Sequence, residues 1–176
     1  MTTDVSSSNH SNNPVKAVLE QSFHSQLFCY EIENNRIFIE PKIKMEVLED
    51  TAIYPIPNAP KWYSGVTSLR GDILTVVNMH YLLGFEESKS TKRLLRLEHP
   101  NFPPLAIAID NLPHQRNIEK LASNHTPNTS HYPSWIKSTS QQSSNTFLFA
   151  DHSALFEAMQ NNSTPLITTV SLPAKD

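Results

Sequence analysis

Glycine is nearly absent from this chain. Three occur in 176 residues, Gly65, Gly71 and Gly84, against average usage of about 7%. The scarcity excludes the glycine-rich phosphate cradles: there is no GxGxxG, no P-loop and no GxSxG elbow. One cysteine, Cys29, excludes an internal disulfide and fits a reducing compartment. Set in the apolar run QLFCYEI, it reads as a buried inert thiol. Charge is also sparse, at 18% Asp, Glu, Lys and Arg with a net of −3. Without clustered Lys or Arg, no footprint for nucleic acid or an anionic membrane surface is expected. No apolar run approaches the length of a membrane span. The segment MTTDVSSSNHSNNPVK lacks the basic and apolar regions of a secretory signal. The expectation is a cytoplasmic protein without direct membrane insertion.

What is present is polar and punctuated. Residues 1–22, rich in Ser, Asn and Thr, read as a disordered leader. Short apolar stretches follow. QLFCYEI and RIFIE suggest two strands joined by an Asn34–Asn35 turn, because Asn tolerates positive φ. KIKMEVLE alternates, with Ile43, Met45 and Val47 on one face. IYPIPNAP, with three prolines, is an extended connection. DILTVVNM reads as a strand with Ile73, Thr75, Val77 and Met79 on one side, ended by a single helical turn at Gly84. KRLLRLEH and PLAIAID are further strands, and residues 119–146 form a long Ser/Thr/Asn/Gln-rich loop anchored by Trp135 and Ile136. TFLFA is a strand, DHSALFEAM a short helix capped by Asp151, and LITTVSL a last strand. Many short strands without βαβ alternation point to an all-β barrel or sandwich.

Chemistry-bearing constellations are hard to find. The eight histidines are scattered singly, with no HxH, HExxH or cysteine partner. No catalytic residue, metal ligand or cofactor is therefore expected. Acidic pairs such as Glu49–Asp50 read as solvated surface charge. The tripeptide Arg70–Gly71–Asp72 matches an adhesion motif, which has no meaning without secretion.

The glycines gather in residues 60–85, PKWYSGVTSLRGDILTVVNMHYLLGF. Gly71, between Arg70 and a strand, implies positive φ or close packing at a sharp turn. Such a turn would hold Arg70 at a fixed surface position suited to a partner carboxylate or backbone. The residues alone equally allow a barrel corner with Arg70 as ordinary surface.

The ordered series Trp62, Gly65, Val66, Leu69, Arg70, Gly71, Val76, Val77, Leu83 and Gly84 resembles the signature of CheW-like coupling proteins. Flanking stretches extend the resemblance over about residues 25–172, leaving 173–176 as a tail and 23–172 as one domain. The dipeptide KW, KRLLRLEH and FLFADHSAL look most similar to the pilus-associated, PilI-type branch. The resemblance implies two intertwined five-stranded SH3-like β-barrels with one or two short helices. It also implies a non-catalytic adaptor joining the cytoplasmic tip of a chemoreceptor to the regulatory domain of a CheA-like histidine kinase, in arrays controlling type IV pilus twitching. The implied partner-binding residues are Gly65, Val66, Ser68, Leu69, Arg70 and Gly71 on one surface, and Glu46 on another. The chain departs from the family pattern at Asn78 and His80, often Asp and Arg, which puts a charge pair there in doubt. A small β-barrel binding nucleic acid is the alternative; it requires a basic face with exposed aromatics.

Overall fold

The computed structural model describes residues 26–85, 93–118, 121, 125–127 and 131–161. The expected leader, the strand LITTVSL and the tail lie outside these residues. Among the described residues, eleven strands form two sheets, accompanied by two short helices. The strands are β1 (Gln26–Ile32), β2 (Asn35–Phe38), β3 (Lys44–Leu48), β4 (Tyr63–Leu69), β5 (Asp72–Val77), β6 (Arg93–Glu98) and β7 (Leu105–Ile109). They continue as β8 (Asn111–Asn117), β9 (His125–Pro127), β10 (Ile136–Gln142) and β11 (Asn145–Ala150). Helix α1 (Met79–Leu82) follows β5, and α2 (His152–Gln160) follows β11.

One stretch of chain supplies a five-stranded sheet ordered β3-β6-β7-β5-β4. The other sheet, β8-β1-β2-β11-β10-β9, takes its strands from both sides of that stretch. The subdomains are intertwined in that sense: the chain starts in one sheet, builds the other, and returns. The parallel β2–β11 pair stitches the two halves of the returning sheet. It has six described strands rather than the expected five, because short β9 joins β10.

Strand β7 shows how sequence alternation drives the packing. All five residues of LAIAI are buried. Leu105, Ile107 and Ile109 enter a core shared with Tyr30, Ile32, Ile37 and Leu148 of the opposite sheet. Ala106 and Ala108 turn the other way, into a small cluster with Leu48, Leu74, Val76 and Leu94. The six-stranded sheet likewise keeps its own cluster of Leu27, Cys29, Phe38 and Phe147. On β7, then, the large residues face the space between the sheets and the alanines face the inner cluster of the curled five-stranded sheet, as period-2 burial requires.

Three local expectations are corrected. The first turn is Glu33–Asn34: Asn35 pairs with Ile32, and Glu33 takes the positive φ of 52°. Asn35 is drawn inward because its amide donates to the Ile32 carbonyl and its side-chain oxygen accepts from the Tyr132 hydroxyl. On β5, Ile73 stands 75% exposed while Leu74 and Val76 are buried. Ile73 sits opposite Ser68 beside the β4–β5 turn. The third concerns residues 119–146, read as a long loop. They contain β9 and β10, and β10 pairs with β11 along its length. Its inward residues are Ile136, Ser138 and Ser140. Two small polar residues in buried positions remove the apolar alternation by which strands are recognised.

Candidate functional site

Leu69 pairs with Asp72, leaving Arg70 and Gly71 as a two-residue hairpin loop. Both have positive φ, 52° and 94°, the sign pattern of a type I′ turn, whose twist matches that of the strands. A Cβ on Gly71 would meet nothing within 4 Å, so glycine is needed there for backbone conformation and not for space. Arg70 is a non-glycine residue held in the left-handed region, which costs about 1–2 kcal/mol. Strain of this kind gathers at functional turns.

Arg70 spends its side chain on Glu46. Its Nη2 donates to Glu46 Oε1 at 2.5 Å and its Nη1 to Oε2 at 3.5 Å. Glu46 lies on β3, the opposite edge of the same sheet. The resemblance assigned these residues to two separate surfaces; the curl of the sheet makes them one. The pairing continues across β3 and β6. Arg96 Nη1 lies 3.9 Å from Glu46 Oε2 and 3.0 Å from Glu98 Oε2, and Lys44 Nζ lies 3.2 Å from Glu98 Oε1. The Lys44 hydrogen bond, with Arg96 nearby, lowers the Glu98 carboxyl below the usual carboxylate range. Arg96, Glu98 and Lys44 were not singled out in the sequence. Their signal was the charged positions of KMEVL and RLLRLE, which alternate with the apolar ones and so share a face.

Gly65 has a different task. A Cβ there would sit 2.2 Å from the Tyr54 carbonyl oxygen, an impossible approach. The missing side chain admits a strap of chain over β4. The Tyr54 N–H donates to the Val66 carbonyl at 2.8 Å, the Val66 N–H donates back at 2.9 Å, and Thr67 Oγ1 donates to the Ala52 carbonyl at 2.8 Å. The strap supports the hairpin that carries Arg70. Val66 and Leu69 are half-buried and Ser68 is exposed. Beside them stand Tyr54, 60% exposed, and Ile73, giving the charged turn an apolar neighbourhood.

The histidines that looked isolated find partners through the fold. His80, fully buried, places Nε2 3.0 Å from Asp110 Oδ1. A hydrogen bond between His80 and Asp110 therefore stands at the position where the family pattern's charge pair was in doubt. Asn78 serves as the α1 N-cap, its side chain accepting from the Tyr81 N–H. Glu33, His80 and Asp110 bring one ligand atom each within 4.8 Å of one another. Elsewhere, burial opposes ionisation of Glu40, but the His152 ring, with Nδ1 3.3 Å from Oε2, and the His152 backbone N–H, which donates to the same oxygen at 2.7 Å, outweigh it and hold the carboxyl at about 2.

Ser153 and His99 have the separation of a nucleophile and base, with Nε2 3.0 Å from Oγ. The protons are wrong for that role. His99 Nδ1 accepts from the Asn101 N–H, so Nε2 of the neutral ring carries the hydrogen and donates to Ser153. Lys42 donates to the same hydroxyl. The basic residues Arg36, Lys42, Lys44, Arg70, Arg96 and Lys137 each face a carboxylate.

Comparison with known proteins agrees with this architecture. The family model described as CheW-like domain matches residues 26–160. Protein FrzA of Myxococcus xanthus is 29% identical over 77 residues, covering 43% of this chain and 48% of that protein. The chain thus spans about half the length of the curated relative it matches. The crystal structure of scaffolding protein TtCheW from Thermoanaerobacter tengcongensis superposes with a TM-score of 0.57 at 16% identity, covering 72% of this chain and 88% of that one. At that identity the likeness is one of fold.

Proposed function

This chain belongs to the family of CheW-like domain proteins, and on that premise we propose that it is a non-catalytic adaptor joining a methyl-accepting chemoreceptor to a CheA-like histidine kinase. The proposal extends to a chemosensory array that controls type IV pilus twitching, with the protein recruited to receptors from the cytoplasm. No described helix is long and apolar enough to cross a membrane. The partner surface is the hairpin of Gly65, Val66, Ser68, Leu69, Arg70 and Gly71 together with Glu46.

The observation that carries the reading is the strained, 74% exposed Arg70 side chain docked on Glu46. A surface ion pair of this kind contributes only about 0–1 kcal/mol to stability, too little to explain an arginine where Asn or Gly suits the backbone. A guanidinium presented rigidly beside apolar groups suits binding to a partner protein.

The test is capture of the receptor tip and of the kinase regulatory domain by Arg70→Glu protein. Loss of capture with an unchanged circular dichroism spectrum is expected. A double variant, Arg70→Glu with Glu46→Arg, restores the ion pair in reverse and should stay inactive if the position of the cation is what the partner reads. Wild-type capture of both partners by folded Arg70→Glu would refute the assignment.

A further inference from the structure

We propose that Glu33, His80 and Asp110 form a site for a divalent first-row transition cation, zinc being the suitable probe, at the junction of the two sheets. The three residues come from distinct places. Glu33 is in the β1–β2 turn of the six-stranded sheet, and His80 is in α1, at the end of β5 of the other. Asp110 is the single residue between β7 and β8, where the chain crosses from one sheet to the other.

The donor set suits such an ion: one imidazole nitrogen and carboxylate oxygens. His80 Nε2 lies 3.0 and 3.1 Å from the two Asp110 oxygens and 3.9 Å from Glu33 Oε1. Zinc bonds of about 2.0–2.2 Å in a tetrahedron place ligand atoms roughly 3.3 Å apart. The observed spacings bracket that value, so small side-chain movements complete the arrangement. Asp110 is already aimed, since its Oδ2 accepts from the Glu33 N–H at 2.6 Å, the kind of supporting bond that orients ligating carboxylates.

Charge supplies a second, independent reason. Glu31, Glu40, Glu46, Glu98 and Asp151 each form an ion pair with Lys or Arg. Glu33 and Asp110 meet only His80 among the described ion pairs. Two anions therefore converge on one imidazole that is 0% exposed. The ring's Nδ1 is buried without a hydrogen-bond partner. In the metal-free protein Nε2 therefore carries the ring hydrogen and donates it to Asp110, and a metal takes that place as the hydrogen shifts to the unpartnered Nδ1. Glu33, with its side chain 45% exposed, gives the ion a route in from solvent and leaves room for water to complete its coordination.

The experiment uses tag-free full-length protein, equilibrium dialysis against zinc chloride with metal quantified by mass spectrometry, and thermal unfolding with and without zinc. Wild type should bind about one equivalent and unfold at a higher temperature with zinc. Because His80 substitutions risk the core, the diagnostic variants are Glu33→Gln and Asp110→Asn. Glu33→Gln should fold normally and bind at least about tenfold more weakly, as loss of a metal-site group does. Absence of wild-type binding at micromolar zinc overturns the proposal, and the two carboxylates then serve only to hold a histidine proton. Equal binding by wild type and both variants also overturns it, placing the metal on surface histidines.

Discussion

Arg70 of the β4–β5 turn and Glu46 of β3 lie 2.5 Å apart across the two edges of one five-stranded sheet. Their strands are not hydrogen-bonded to each other, so the pair reports the curl of the sheet. It fastens the tip of the hairpin above the charged ladder of Arg96, Glu98 and Lys44.

Replacing Arg70 by Asn should separate binding from stability. The substitution loses an exposed ion pair worth about 0–1 kcal/mol and relieves left-handed strain of about 1–2 kcal/mol for a residue other than Asn or Gly. Urea unfolding should show a midpoint equal to or above wild type, while capture of the kinase regulatory domain falls. A clear loss of stability would show that the ion pair is a structural clamp.

The two turn glycines should respond unequally to alanine. Gly71→Ala meets open space and carries only the cost of its φ, about 1–2 kcal/mol. Gly65→Ala drives a methyl into the Tyr54 carbonyl and must displace the strap, so a loss of about 3 kcal/mol or more is expected, in the range of core overpacking and lost backbone hydrogen bonds. Denaturant midpoints decide it. Equal effects would mean that the strap at residues 52–55 yields easily.

Glu40 should contribute to acid sensitivity. Its carboxyl titrates at about 2 in the folded protein against 4.5 ordinarily. A depressed folded value means stabilisation that is complete above about 4.5 and lost as pH falls toward 2. Glu40→Gln should be less stable at neutral pH and lose less on acidification. Parallel wild-type and variant curves between pH 5 and pH 2 would contradict the role of His152 as its partner.

Cys29 should be silent until the protein opens. Burial is the chief cause pushing its thiol up to about 12, and it is the only cysteine in the chain, so a thiol reagent reads one group. Labelling at neutral pH should follow global unfolding across a urea series. Rapid labelling of native protein would show that β1 and β8 separate locally.

How far the sequence reaches depends on the range of the interaction concerned. The strand LAIAI was legible because alternation is a local property. So was the α2 cap, where the Asp151 carboxylate accepts from the Ala154 N–H three residues on. Strand β10 was hidden, because buried Ser138 and Ser140 resemble loop residues until their neighbours are known. The exposure of Ile73 was hidden too. An apolar residue in a strand implies a buried face, and only the position of that face relative to the second sheet shows whether anything covers it.

By itself, then, the sequence pointed to a sharp turn at Arg70–Gly71, because positive φ is a demand on a single residue, whereas the need for Gly65 to remain without a side chain emerged only once the Tyr54 strap lay against it. Tertiary structure alone decided what Arg70 touches. Glu46 lies 24 residues away along the chain, and Glu33, His80 and Asp110 are separated further still. Such meetings depend on how far each sheet curls and where the chain crosses between sheets, which packing of the shared core sets and no local pattern encodes.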